Sequence, residues 1–330
     1  MRRFLKWLGI AALLILIALA VVPFLIPVRP LEGLVSADQL AGPGDRFITL
    51  PFEGTDGLDI HYVEVGDPTA RHAVILLHGS VFNASTWDQT MDVFARYGRV
   101  IAYDQLPYGL SEKVKIGDWT GATPYTTPAA VDRLFELMDA LDIDSATLVG
   151  NSYGAVLAVL AADAHPERID ALVLSDPAVY VSENVPPWLA NLPQVAHLGP
   201  LLARLVGGSE SFIHSTWADP EALDSERMAK TLIHTRIENW DQAFWAYLKT
   251  WQTPDLAPAI AAIGQPTLIL FGAEDSVIPV AQSERLTGEI AGSDLVVLPS
   301  CGHVPQEECP GPFGDAVSQW LDGRLGGLAN

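Results

Sequence analysis

From residue 46 onward, short uninterrupted apolar runs alternate with stretches in which apolar residues recur every three or four positions. Ala73–Leu77, Val100–Tyr103, Ala146–Val149, Ile169–Leu174, Thr267–Phe271 and Leu295–Leu298 are runs of strand length. Phe47–Phe52 and Leu58–Val65 flank the turn sequence Gly54-Thr55-Asp56-Gly57 and read as two further strands. Helical spacing is expected over Trp87–Tyr97 and over Pro128–Leu141, where Val131, Leu134, Leu137, Met138 and Leu141 share a face; Ala155–Ala164 reads as a helix of small residues. Strands that are apolar throughout must be covered on both faces. The alternation therefore predicts an α/β fold, a mostly parallel eight-stranded sheet flanked by helices.

The rhythm breaks between residues 181 and 258. That segment holds five of the nine tryptophans (Trp188, Trp217, Trp240, Trp245, Trp251) and reads as helices and loops. It is expected to be a helical cap inserted after the sixth strand, dividing a core of residues 46–180 and 259–325. Residues 31–45, rich in Pro, Gly and Ala, read as a linker.

The N-terminus is of another kind. Arg2, Arg3 and Lys6 precede 21 uncharged residues, Leu8 to Val28, and about 20 span a bilayer's hydrocarbon core. Trp7 stands where interfacial aromatics are favoured, and the basic cluster predicts that this end is cytoplasmic. Residues 1–30 are thus expected to anchor a domain lying on the periplasmic or extracellular side. Ala18-Leu19-Ala20 resembles a cleavage site and keeps open a cleaved signal and a secreted protein. Pro23 and Pro27 leave both options open.

Charge narrows the partners. The 330 residues carry 19 Lys plus Arg against 40 Asp plus Glu. With four basic residues and no acid in the first 30, the remainder stands at −25. Nucleic acid is excluded as a partner, because phosphate binding needs a basic footprint. The acidic surface also disfavours polyanionic substrates and tight docking on anionic lipid. Oligomeric state is not legible. No metal-ligand spacing and no Gly-x-Gly-x-x-Gly opening a helix appears, so neither metal nor cofactor is expected. The two cysteines, Cys301 and Cys309, bracket His303; export would allow a disulfide, and two free thiols are the alternative.

The densest chemical signal is Gly150-Asn151-Ser152-Tyr153-Gly154, at the join of an expected strand and an expected helix. A serine on so sharp a turn stands clear of the sheet at a helix N-terminus, with small neighbours letting other backbone approach. Its hydroxyl needs a base. Of eight histidines, His303 follows the last strand, and parallel strands all end on one side, as does Ser152's. The base needs an acid. Asp275, after Thr267–Phe271, is the first candidate; Asp176, after Ile169–Leu174, and Glu274 are rivals. For a tetrahedral oxyanion, the N–H of Tyr153 is one expected donor and that of Ser80 the other, with Val81 the near alternative and His78 structural.

These pieces resemble the α/β-hydrolase superfamily over roughly residues 46–322. The matching segments are His78-Gly79, the turn at 150–154, Gly272-x-x-Asp275-x-x-x-Pro279, and Gly302-His303 followed by Glu308 and Pro310. One departure stands out: where the family often has D-x-x-G-x-G-x-S, this chain has Asp104-Gln105-Leu106-Pro107-Tyr108-Gly109-Leu110-Ser111, with Pro107 for the first glycine. A serine at the turn argues against the Asp-bearing dehalogenases and epoxide hydrolases.

The resemblance implies a serine hydrolase. A carboxylic ester of a fairly hydrophobic small molecule is the first expectation. The cap aromatics Trp188, Phe212, Trp217, Trp240, Phe244, Trp245, Tyr247 and Trp251 would supply an apolar pocket, at least half of them only packing the cap against itself. Alternatives on the same triad are a carbon–carbon bond hydrolase of ring-cleavage products, disfavoured by export, and a peptidase or amidase. A peptidase taking free N-termini needs a cap carboxylate such as Glu183, Asp219, Glu221, Asp224, Glu226, Glu238 or Asp241. A non-catalytic ligand receptor is the reading from outside enzymes.

Overall fold

The computed structural model describes residues 2–181 and 186–325. Eight strands form one sheet: β1 (Asp45–Leu50), β2 (Leu58–Val65), β3 (His72–Leu77), β4 (Arg99–Tyr103), β5 (Ser145–Asn151), β6 (Ile169–Ser175), β7 (Thr267–Gly272) and β8 (Asp294–Leu298). Their spatial order is β1-β2-β4-β3-β5-β6-β7-β8. The sheet is mixed: β2 is antiparallel to both β1 and β4, and every pair from β4 to β8 is parallel. The strand order reverses around β3 and β5, so the loops at their C-terminal ends open a crevice suited to a ligand.

Both faces of the sheet are covered. Leu77, Ile101, Leu148 and Leu174 pack with the helices Thr127–Ala140 and Tyr153–Ala164 on one side. Val74, Leu76, Val149 and Leu270 pack with Trp87, Phe94, Phe313 and Val317 on the other. The expected helix over Trp87–Tyr97 is instead three short turns, Ala84–Trp87, Met91–Phe94 and Ala95–Tyr97. Tertiary bonds outweigh helical spacing here: the Ala84 N–H is taken by the buried Asp104 carboxylate at 2.6 Å, and Trp87 packs against Phe313.

Between β6 and β7 the described residues form a cap of short helices: Pro187–Ala190, Pro193–Gly207, Glu210–Ser215, Ser225–Thr231 and Trp240–Thr250. Residues 31–45 do not hang free. Val35 bridges to Ile237 of the cap, its N–H donating to the Arg236 carbonyl at 3.0 Å.

The N-terminal helix, Arg2–Leu25, is the one described helix long and apolar enough to cross a membrane by length and composition. Its exposed apolar residues include Trp7, Leu16 and Leu19.

Candidate active site

Ser152 stands between β5 and its following helix with φ 53° and ψ −114°, a conformation L-residues avoid unless their surroundings over-determine it. The surroundings do so. A Cβ on Gly154 would lie 2.1 Å from the Leu77 carbonyl oxygen, and one on Gly150 would lie 2.5 Å from the Gly154 carbonyl carbon. The Ser152 N–H donates to the Ser175 carbonyl at 2.9 Å, tying the turn to the end of β6.

His303 follows β8 as expected. Its Nδ1 is 2.7 Å from Asp275 Oδ2, both side chains being almost fully buried. The other Asp275 oxygen accepts the N–H groups of Val277 at 2.7 Å and Ile278 at 2.9 Å. A carboxylate so bonded is fixed in orientation, and it sets the imidazole tautomer with Nδ1–H donating and Nε2 free to accept. Glu274 has its backbone N–H on the Cys301 carbonyl at 2.9 Å and plays no such part.

Asp176, the other rival, lies in the same cluster: its carboxyl, that of Asp275 and a ring nitrogen of His303 fall within 4.8 Å of one another. Burial, and next the charge of Asp275, push the Asp176 carboxyl well above the ordinary carboxylate range.

The histidine loop is held from the cap as well as from the core. The His303 N–H donates to the Thr216 carbonyl at 2.7 Å. Glu308 accepts from Gly302 at 2.7 Å, from Ala218 at 3.0 Å and from Asp219 at 2.8 Å, so one carboxylate joins the loop to the cap. Cys301 and Cys309 form a disulfide around His303.

One contact had no sequence signal. Asn151 Nδ2 donates to the His303 carbonyl at 2.9 Å, linking the residue before the serine to the proposed base. The second position of a Gly-x-Ser-x-Gly turn carries no rule for its side chain, so only three-dimensional placement reveals it.

Ser80 and Tyr153 flank Ser152 along the same crevice. Backbone at Gly79 is in tight contact with the serine: a Cβ there would be 3.0 Å from Ser152 Cβ. His78 holds that loop. Its Nδ1 donates to the Gly79 carbonyl at 2.8 Å and its Nε2 accepts the Gln105 N–H at 2.9 Å, an imidazole kept neutral, with burial lowering its pKa. Val81 has φ 64°, and its N–H faces the Tyr108 hydroxyl.

The departure at Pro107 has a structural counterpart. Asp104 still organises the loop, accepting Leu110 N–H at 2.6 Å and pairing with His61 at 2.7 Å. The loop delivers Tyr108 into the crevice beside Ser80 and Tyr247. Burial raises both phenols, and the Tyr247 hydroxyl faces that of Tyr108.

A cavity of about 660 Å³ opens above Ser152. Of the cap aromatics, Phe212, Phe244, Tyr247 and Trp251 line it. Trp240 and Trp245 are buried elsewhere in the cap, and Trp188 is 70% exposed. Among the described residues, no Lys, Arg, His, Asp or Glu side chain lines the cavity. Among the expected cap carboxylates, Asp241 pairs with Arg204 at 2.6 Å and Asp224 caps a helix through the Arg227 N–H at 2.8 Å. Glu183 lies outside the described residues.

Known proteins bear on this geometry. The family model described as alpha/beta hydrolase fold matches residues 72–310. A 2-hydroxy-6-oxononadienedioate/2-hydroxy-6-oxononatrienedioate hydrolase of Burkholderia vietnamiensis is 30% identical over 286 residues, covering 84% of this chain and 95% of that one. The solved meta-cleavage product hydrolase of Pseudomonas fluorescens is 25% identical with a TM-score of 0.63, over 83% of this chain and 98% of that one. A solved membrane phospholipase A is 23% identical with a TM-score of 0.67, over 98% of this chain and 99% of that one, a likeness of fold.

Proposed function

The chain belongs to the alpha/beta hydrolase fold family, and on that premise we propose that it is a serine hydrolase of carboxylic esters with an apolar acyl group, held to a membrane by its N-terminal helix. In this reading Ser152 Oγ attacks the ester carbonyl carbon while His303 Nε2 takes its proton. Asp275 holds the imidazole by Nδ1 and stabilises the imidazolium. The N–H groups of Tyr153 and Ser80 meet the oxyanion. Collapse breaks the ester C–O bond, and His303 returns the proton to the leaving alkoxide. Water then attacks the acyl-enzyme, giving its proton to His303, and the acid leaves Ser152 free.

The observation that carries the ester reading is the character of the cavity. Its walls are aliphatic and aromatic with neutral hydroxyls, and no described cation lines it. A buried carboxylate without a partner is costly, so such a cavity is poorly suited to a dicarboxylate.

The curated relatives favour a second reading. They are named 2-hydroxy-6-oxononadienedioate/2-hydroxy-6-oxononatrienedioate hydrolase and 2-hydroxymuconate semialdehyde hydrolase, and at 30% identity this kinship supports carbon–carbon cleavage above ester cleavage. The same serine, histidine and aspartate serve it. The peptidase reading has less support, since no described carboxylate lines the cavity.

The deciding experiment is competition on the full-length protein. Its kcat/KM for p-nitrophenyl hexanoate is measured beside that for a 2-hydroxy-6-oxo-dienoate. A ratio above about tenfold for the ester supports the first reading; the reverse transfers the assignment to carbon–carbon cleavage.

A further inference from the structure

The cap helix Pro193–Gly207 presents three distinct faces. Gly199, Ala203 and Gly207 are buried. A Cβ on Gly199 would lie 2.3 Å from the Trp245 ring, so this face is pressed onto the rest of the cap.

A second face receives the end of the N-terminal helix and the residues after it. Gln194 Nε2 donates to the Ala20 carbonyl at 3.3 Å, His197 Nε2 to the Ile26 carbonyl at 3.0 Å, and Arg204 to the Arg29 carbonyl at 2.8 Å. The Phe24 ring lies 5.4 Å from that of His197.

The third face is apolar and bare. Leu202, Leu205 and Val206 are 40%, 73% and 46% exposed. The short helix before it adds exposed Trp188 and Leu189, and the next helix adds exposed Phe212. Isolated surface leucines need no explanation, but a contiguous apolar patch does. Leu205, Val206 and Phe212 are also wall residues of the Ser152 cavity, so these three form an exposed apolar rim of its opening, with Leu202 one turn away on the same helix as Leu205 and Val206.

We propose that this rim rests on the bilayer that holds the N-terminal helix, and that the substrate is a lipid-borne ester. Its acyl chain passes from the membrane over Leu205, Val206 and Phe212 to Ser152. The proposal rests on the ester reading above and narrows its substrate class. What selects a bilayer as the occupant is the helix bonded to the second face. The apolar run ends at Val28, and the carbonyls of Ala20, Ile26 and Arg29 lie on the cap helix that carries the bare face, about one helix diameter, 10–12 Å, across. The strongly acidic remainder of the chain opposes anionic lipid, so the matching surface is zwitterionic.

Two readouts on the full-length protein in phosphatidylcholine vesicles test this. In the first, Leu202→Cys and, separately, Asp163→Cys at the far end of the helix after Ser152 carry an environment-sensitive fluorophore. Doxyl-labelled lipid should quench the label at 202 by at least half and leave that at 163 nearly unchanged. In the second, Leu192→Asp/Leu202→Asp, which places charge on two exposed leucines of this cap helix and its N-terminal edge, 39% and 40% exposed and outside the cavity wall, is compared with the unaltered protein. Hydrolysis of a long-chain ester dissolved in the vesicles should fall at least fivefold. Hydrolysis of water-soluble p-nitrophenyl butyrate should stay within twofold.

Absence of quenching at 202 overturns the proposal, and shielding of that label without lipid quenching would point to a second copy of the chain. Equal rates on the bilayer ester overturn it too, while butyrate turnover keeps the ester reading standing. Quenching at 202 with neither ester hydrolysed would support the membrane contact and sink the ester reading instead.

Discussion

The carboxyl groups of Asp176 and Asp275 come from the ends of neighbouring strands β6 and β7 and share one buried cluster with His303. Asp275 is the one hydrogen-bonded to the imidazole, at 2.7 Å. Asp176 is occupied otherwise, accepting the Gly272 N–H at 2.8 Å and the Ser175 hydroxyl at 2.9 Å. Two buried carboxylates this close do not both ionise. Burial, and next the charge of Asp275, raise the Asp176 carboxyl well above the ordinary carboxylate range, so Asp176 is the member suited to be neutral.

A ranking of two substitutions follows. Asp176→Asn keeps a neutral group of similar size and should leave kcat within about tenfold. Asp275→Asn removes the charge that orients His303 and should cost about 10⁴ in kcat. Steady-state rates on one ester at pH 7.5 check this, and the opposite ranking would make Asp176 the working acid.

Gly154 tests the packing beneath the serine. The Leu77 carbonyl stands 2.1 Å from where a Cβ would be, and that atom is backbone in the middle of the core. Gly154→Ala should therefore destabilise the fold by about 2–4 kcal/mol, in the range of core overpacking and above. Urea denaturation measures it; a change under 0.5 kcal/mol would mean that β3 and the turn are not in close contact.

The histidine loop depends on its staples. The Cys301–Cys309 disulfide closes a loop with a sequence separation of 8, for which chain entropy gives about 2.5 kcal/mol. Cys301→Ser/Cys309→Ser should lose about that much stability. Activity should fall more sharply in Glu308→Ala, which strands the N–H groups of Gly302, Ala218 and Asp219. Thermal melts and rates measured side by side separate the two effects.

Glu307 gives the pH dependence. It is buried, and burial raises its carboxyl from 4.5 to about 7 against the pull of Arg227. Between those values the folded chain holds a proton that the unfolded chain has released, so this group's contribution to stability falls as pH rises from about 4.5 to 7. Glu307→Gln removes the titration. Its stability relative to the unaltered protein should be higher at pH 8 than at pH 4.5, as read from denaturation midpoints; no change in that difference would refute the assignment.

Much of this site was legible because its determinants are local. Ser152, Asp275 and His303 each follow an apolar run, and parallel strands end on one side of a sheet. That reasoning needs only the order of elements. The apolar pattern puts the first strand at Phe47–Phe52, two residues later than Asp45–Leu50, because its outer face is exposed and the pattern is faint at that end. The break-up of 87–97 was illegible, since the partner of Ala84 is Asp104, on another strand's loop. The role of Asn151 is illegible for a similar reason: its partner is 152 residues away. The Pro, Gly and Ala of residues 31–45 mark a linker without showing that Val35 pairs with Ile237 of the cap, 202 positions away.

The measurement closest to the central claim is turnover of p-nitrophenyl esters, acetate to palmitate, by the full-length protein beside Ser152→Ala. Turnover should show an optimum at a medium or long acyl chain, and the variant should lose about 10⁴ to 10⁶ in kcat. Turnover that survives Ser152→Ala, or a folded protein that neither hydrolyses these esters nor is labelled at Ser152 by a fluorophosphonate, would contradict that claim.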